Sequence, residues 1–208
     1  AVKFDEVTVL FTDFVQFTRV AEQVEPEQLV KSIDYYFKGF DEITTKFGLE
    51  KIKTVGDSYM CACGLPTINP MHARNVISAA REMIELVRNE LNAADGLSHF
   101  EIRIGIHTGP VVAGIVGIKK WQYDIWGDTV NLASRIEAAG IPGEVCASGN
   151  AVAQVEKLFA FTHQGVISLK NMGEHSVYVV GHVKRNPGMF GSSVAPSGAS
   201  DLRTACHL

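Results

Sequence analysis

At 208 residues the chain is the length of one domain, and a chain of this size buries roughly 70% of its unfolded surface. Its 46% hydrophobic and 20% charged residues suit a soluble globular fold, and a formal net charge of −4 argues against a nucleic-acid partner, which asks for a basic face. No run approaches the ~18 apolar residues of a membrane span and no signal peptide is evident, so no membrane segment and a cytoplasmic setting are expected. The first residue is Ala1, not Met, so the chain reads as a fragment or processed form, in which any membrane or sensor segment upstream would not be visible.

Residues 6–12 read as a buried strand, nearly all apolar or β-branched, with Asp13 at its end. Residues 14–18 then lead into a short helix. Pro26 suits a first helical position, and Leu29, Val30, Ile33, Phe37, Phe40, Ile43 and Phe47 recur at three- and four-residue steps, predicting a helix over 26–47 ended by Gly48. The stretch 50–60 predicts a hairpin with Gly56-Asp57 as its turn, so Asp57 stands at a tip and Lys53 on the incoming strand. A second helix is expected from about 71 to 91, and the alternation of Phe100, Ile102, Ile104 and Ile106 predicts a strand over 100–107.

Thr108-Gly109-Pro110 is expected to turn the chain into strands at 111–117 and 121–126. A helix opens near Gly127, capped by Asp128 or Thr129, and ends near Gly140. Smaller elements follow: a strand near 144–148, a helix near 149–157, and strands near 159–169 and 175–183. The Gly/Ser/Pro-rich residues 186–208 predict a disordered tail outside a domain spanning 1–185. This order suits an α+β domain, with helices packed on a largely antiparallel sheet.

Four cysteines occur, at 61, 63, 146 and 206, without zinc spacing, and are expected to be reduced and to pack as small apolar residues. His72, His99 and His107 are assigned structural roles, since no second imidazole or thiol is spaced to complete a metal site. Neither a Gly-x-Ser-x-Gly elbow nor a P-loop is present. Asp13 and Asp57 both end strands joined through one helix, so their tips can meet. Paired carboxylates without His or Cys nearby favour hard cations such as Mg²⁺ or Mn²⁺, and two such ions can clamp a phosphoryl displacement. The amides of Val15, Gln16, Phe17 and Thr18 enter a helix, a setting that binds phosphate. These features by themselves leave open a plain reading as capping and surface carboxylates.

The segments Phe11-Thr-Asp-Phe-Val-Gln-Phe-Thr18, Lys51-Ile-Lys-Thr-Val-Gly-Asp57, Arg103-Ile-Gly-Ile-His-Thr-Gly109 and Gln122-Tyr-Asp-Ile-Trp-Gly-Asp-Thr-Val-Asn-Leu-Ala-Ser-Arg135 resemble the signature blocks of class III nucleotidyl cyclases. The resemblance covers about residues 5–183. It implies a ferredoxin-like core and a head-to-tail homodimer with active sites shared between subunits. It makes Asp13 and Asp57, with the Phe14 carbonyl, ligands of two divalent metal ions. Arg103 and the backbone at 15–18 would hold phosphates. Lys53 and Asp124 would read the purine, Asn131 would orient the ribose, and Arg135 would stabilise the transition state. Lys170 matches a triphosphate-binding lysine, although Asn171-Met172 departs from the usual Gly-Lys that follows.

Within this resemblance, Asp13, Asp57 and Arg103 serve a site from one subunit, and Lys53, Asp124, Asn131, Arg135 and Lys170 serve it from the other. Guanine readers typically carry Glu and Cys where Lys53 and Asp124 stand, so the implied activity is conversion of ATP to cyclic AMP and pyrophosphate. A guanylyl cyclase is the nearest alternative, and a catalytically silent nucleotide-binding or dimerisation module is another. An upstream regulatory domain is expected. Trp121, Tyr123 and Trp126 can anchor either an interface or the domain's own core.

Overall fold

In the computed structural model, residues 1–90, 96–117, 121–169 and 173–184 are described. Lys170 and the expected tail at 186–208 lie outside them. The elements in chain order are β1 (Val2–Phe14), α1 (Phe17–Ala21), α2 (Pro26–Phe47), β2 (Glu50–Val55), β3 (Ser58–Cys63) and α3 (His72–Glu90). Then come β4 (Ile102–Val116), β5 (Gln122–Trp126), α4 (Asp128–Ala138), β6 (Val145–Ser148), α5 (Gly149–Val155), β7 (Phe159–Leu169) and β8 (Gly173–Val183). The sheet runs β2-β3-β1-β4-β6-β8-β7, with β5 paired to β4. Its pairings are antiparallel except β4 with β6, so the fold is α+β with a mostly antiparallel sheet, as expected.

Strand alternation divides the core between the two faces. Leu10 and Phe14 on β1, with Tyr59, Cys61 and Cys63 on β3, point to α2 and α3. Val7 and Val9 on β1, with Met60 and Ala62 on β3, point the other way, where Ala133 of α4 joins them. Asp13 is two steps beyond Phe11 and four beyond Val9, which puts it on the α4 side. Cys61, Cys63 and Cys146 are free and buried, and burial pushes each thiol up, consistent with packing as small apolar residues.

Three local expectations need correction. Thr108-Gly109-Pro110 does not turn the chain, because β4 continues through it for 15 residues. Pro110 survives inside a strand because β1 carries a register shift between Phe4 and Val7, opposite the position where the missing N–H would have paired. Neither Asp128 nor Thr129 caps α4. Its N-cap is Gly127 at φ 135, without a side-chain cap bond, and the Thr129 hydroxyl instead donates to the Pro110 carbonyl at 2.6 Å. β1 also exceeds the predicted 6–12, because its first residues pair with the far half of β4.

Candidate active site

Gly56 adopts φ 61, a left-handed conformation that Gly reaches without steric cost, and this closes the β2–β3 turn. The turn puts Asp57 beside Asp13, since Thr12 on β1 pairs with Tyr59 on β3. Ser58 Oγ donates to Asp13 Oδ1 at 2.8 Å. On the other side of β1, Asp13 pairs in register with Arg103 of β4. The Arg103 Nη2 atom stands 3.5 Å from Asp13 Oδ2. The sheet thus brings Asp13, Asp57 and Arg103 together from three strands.

Burial, followed by the charge of Asp13 and a hydrogen bond with it, pushes the Asp57 carboxyl up to about 6. Its own backbone N–H and the Arg103 charge act in the opposite direction. Two carboxylates so close, with one cation at a loose 3.5 Å, are short of positive charge. That oxygen-only donor set fits hard divalent ions such as Mg²⁺ or Mn²⁺. Among the described residues no group of three or more His, Cys, Asp or Glu is placed to hold a metal, so any ion here would complete its shell with backbone, water or substrate oxygens.

Phe14 has its ring buried against Phe100, with centroids 4.8 Å apart, and against Tyr36. Its side chain serves the core, and only its backbone is left to serve the site. The Val15 N–H donates to the Glu101 carbonyl at 2.8 Å. The amide row expected at 15–18 therefore starts one residue later, at Gln16, whose φ of 55 is left-handed and begins the turn into α1.

A second charged group lies across the same hairpin. Lys53 Nζ donates to Asp124 Oδ2 at 2.6 Å, and the Ile125 N–H donates to Asp124 Oδ1 at 2.8 Å. Asp124 is buried and Lys53 is partly so, which fixes both heads in place. Asn131 and Arg135 lie one turn apart on α4 and are exposed. Within one chain they do not join the Asp13 cluster.

Sequence reasoning missed Glu137. It is buried on another face of α4, with Oε1 3.2 Å from Arg103 Nε, too poorly aligned for a hydrogen bond. Burial, then the nearby Asp13 charge, pushes its carboxyl up to about 7, while Arg103 pulls it back. The available signal was its spacing of four residues from Ala133, on the apolar side of α4. Two of the three assigned histidines are occupied structurally: His72 Nδ1 bonds Thr8 Oγ1 and His107 Nδ1 bonds Ser148 Oγ, each at 2.7 Å. Burial also lowers both imidazoles, His107 to about 4. His99 is exposed. Trp121 and Trp126 are 79% and 42% exposed and do not fill the core, whereas Tyr123 is half-buried and packs against it.

Comparison with known proteins agrees with this architecture. Residues 1–182 match the model of the adenylate and guanylate cyclase catalytic domain. The chain is 38% identical over 188 residues to an adenylate cyclase of Mycobacterium tuberculosis, covering 89% of this chain and 42% of the relative. It is 37% identical over 177 residues to the guanylate cyclase soluble subunit beta-2 of Rattus norvegicus, covering 85% of this chain and 26% of the relative. The chain therefore spans less than half the length of either relative. The solved adenylyl cyclase CyaB from P. aeruginosa superposes with a TM-score of 0.81 at 29% identity, covering 90% of this chain and all of that one. Relatives of both nucleotide preferences are thus about equally similar. On sequence and on fold, this chain belongs to the adenylate and guanylate cyclase catalytic domain family.

Proposed function

We propose that this domain is an adenylyl cyclase that forms 3′,5′-cyclic AMP and pyrophosphate from ATP at a site shared by two copies of the chain. The observation that carries the reading is the Asp13–Asp57 pair, two carboxylates within hydrogen-bonding reach and undercompensated by Arg103. Asp13, Asp57 and the Phe14 carbonyl would hold two Mg²⁺ or Mn²⁺ ions. Such ions supply Lewis-acid activation of the ribose 3′-hydroxyl and neutralisation of the triphosphate. Arg103 and the amides of Gln16, Phe17 and Thr18 would seat phosphate oxygens, whereas Val15 N–H is already engaged.

In the reaction the 3′-oxygen bonds to the α-phosphorus, the bond from that phosphorus to the bridging oxygen breaks, and the hydroxyl proton leaves. Arg135 would stabilise charge growing at the α-phosphate, with Asn131 orienting the ribose. Both are exposed and stand away from Asp13 in one chain, which supports a role toward a second copy. Exposed Trp121, Trp126 and Ile115 supply apolar area for that contact. Lys170 would reach the triphosphate.

Preference for ATP rests on the Lys53–Asp124 pair. A lysine donor matches adenine N1 and a carboxylate acceptor matches the N6 amino group. Guanine offers a donor and an acceptor at the opposite places, and a mispaired buried polar group is rejected strongly. Product formation from ATP and GTP, measured side by side with Mn²⁺ at several protein concentrations, tests all of this. Cyclic AMP should dominate, and turnover per chain should rise as dimers form. Preferential cyclic GMP would refute the base reading, and no turnover from either nucleotide would leave a silent binding module.

A further inference from the structure

Arg103 is held from two sides, unequally. Toward β1 it faces Asp13 at 3.5 Å, beyond the 2.7–2.9 Å typical of a charge-assisted hydrogen bond. Toward α4 it faces Glu137 at 3.2 Å from Nε, and its Nη1 lies 3.4 Å from the Ala138 carbonyl. That carbonyl belongs to the last turn of α4, where unpaired carbonyls and the helix dipole attract a cation. α4 in turn cannot drift from β4. A Cβ on Gly105 would lie 2.1 Å from Glu137 N and 2.6 Å from the Ala133 carbonyl, so strand and helix touch backbone to backbone.

From this geometry we infer that Glu137 is a positioning residue: it restrains the Arg103 guanidinium at a stand-off from Asp13, so that the Asp13–Asp57 face stays open to divalent cations. The inference rests on the metal reading above and adds a residue to it. Without the Glu137 carboxylate, Arg103 keeps one weak anchor on α4 and closes onto Asp13, where it competes with a metal ion for the same oxygens. Asp13 Oδ1 already accepts from Ser58, so Oδ2 is the oxygen that Arg103 would take.

The test is Mn²⁺ binding to the purified domain without nucleotide, followed by electron paramagnetic resonance of free Mn²⁺. Glu137→Gln should weaken binding about fivefold or more, and in an Arg103→Gln background the same change should have no further effect. An equal loss in both backgrounds would mean that Glu137 acts through its own field and overturns the positioning role. Glu137→Asp keeps the charge and shortens the reach; weakened binding supports positioning, and unchanged binding overturns it. This variant also serves if the glutamine variant does not fold, as judged by thermal melting. Wild-type binding with unaltered binding in Glu137→Gln overturns the Glu137 inference alone. Absent binding in the wild type overturns the metal reading as well.

Discussion

The β2–β3 hairpin supplies one charged residue to each of two clusters, and the two are built on opposite principles. Lys53 meets Asp124 at 2.6 Å, one cation to one carboxylate, with the second carboxylate oxygen taken by a backbone N–H. Asp57 meets Asp13, and Glu137 stands close by, so three carboxylates share Arg103. The first cluster is balanced and fixed by its own contacts. The second is overcharged and pushes two carboxyls up, to about 6 and about 7. A balanced pair needs nothing further to be stable and is suited to shape recognition. An overcharged one is stabilised by whatever positive charge arrives, which is a binding function in itself.

The sharpest way to break this contrast is Asp57→Ala. Metal-assisted charge stabilisation is worth several kcal/mol and each 1.36 kcal/mol is a factor of ten, so turnover should fall by about a thousandfold or more. Melting temperature without metal should hold or rise, because a repulsive pair is relieved. Near-parental turnover would end the metal assignment.

Exchange of the Lys53–Asp124 pair, proposed above to read the base, comes next. The double change Lys53→Glu with Asp124→Cys should move the ATP-to-GTP ratio of turnover toward GTP by about a hundredfold or more. Lys53→Met should lower stability by about 1–2 kcal/mol in urea unfolding, because it leaves Asp124 buried without its cation. The two clusters thus respond to removal of one member with opposite signs of stability. If both lost stability equally, the distinction between them would fail.

Gly105→Ala acts on the crowded cluster alone, through packing. The added methyl would meet the backbone of Glu137 and must push α4 from β4, at a cost of about 1–3 kcal/mol. Urea unfolding reads the stability, and Mn²⁺ affinity should fall while the Lys53–Asp124 pair persists.

The smallest effect is on pH dependence. Asp57 has a folded pKa above its usual 3.8, so the folded state holds the proton more tightly, and the stability it contributes falls as pH rises from about 4 to about 6. Glu137 continues that fall toward about 7. His107 has the opposite sign, since its imidazole is lowered to about 4 and stability is lost as pH drops below its usual 6.5. Comparing Asp57→Asn with the parent isolates the first contribution. The gain in melting temperature from the substitution should be larger at pH 7 than at pH 4, in metal-free buffer.

Much of this was legible in the chain because it depends on local period. The helix over 26–47 was bounded to the residue by Pro26 and Gly48, and the hairpin by Gly56. Asp13 was placed by the apolar and β-branched run before it, and Asp57 by the Gly-Asp turn signal. The failures share a cause. Pro110 reads as a breaker unless the bulge opposite it in β1 is known, and Thr129 reads as a cap unless its carbonyl partner on β4 is known. Both depend on a strand distant in sequence.

What the residue order determined by itself is most of the list of elements and the two carboxylates at strand tips, because periodicity and turn chemistry act over a few residues; the roles of Lys53 and Asp124 came only from the family resemblance. Only the tertiary structure decided that Arg103 sits between Asp13 and Glu137, and that Lys53 meets Asp124. The reason is physical: β1 brings Asp13 beside β4, and a glycine at 105 lets α4 approach closely enough to carry a buried carboxylate to the arginine. No local pattern encodes a contact that exists only when strand and helix touch.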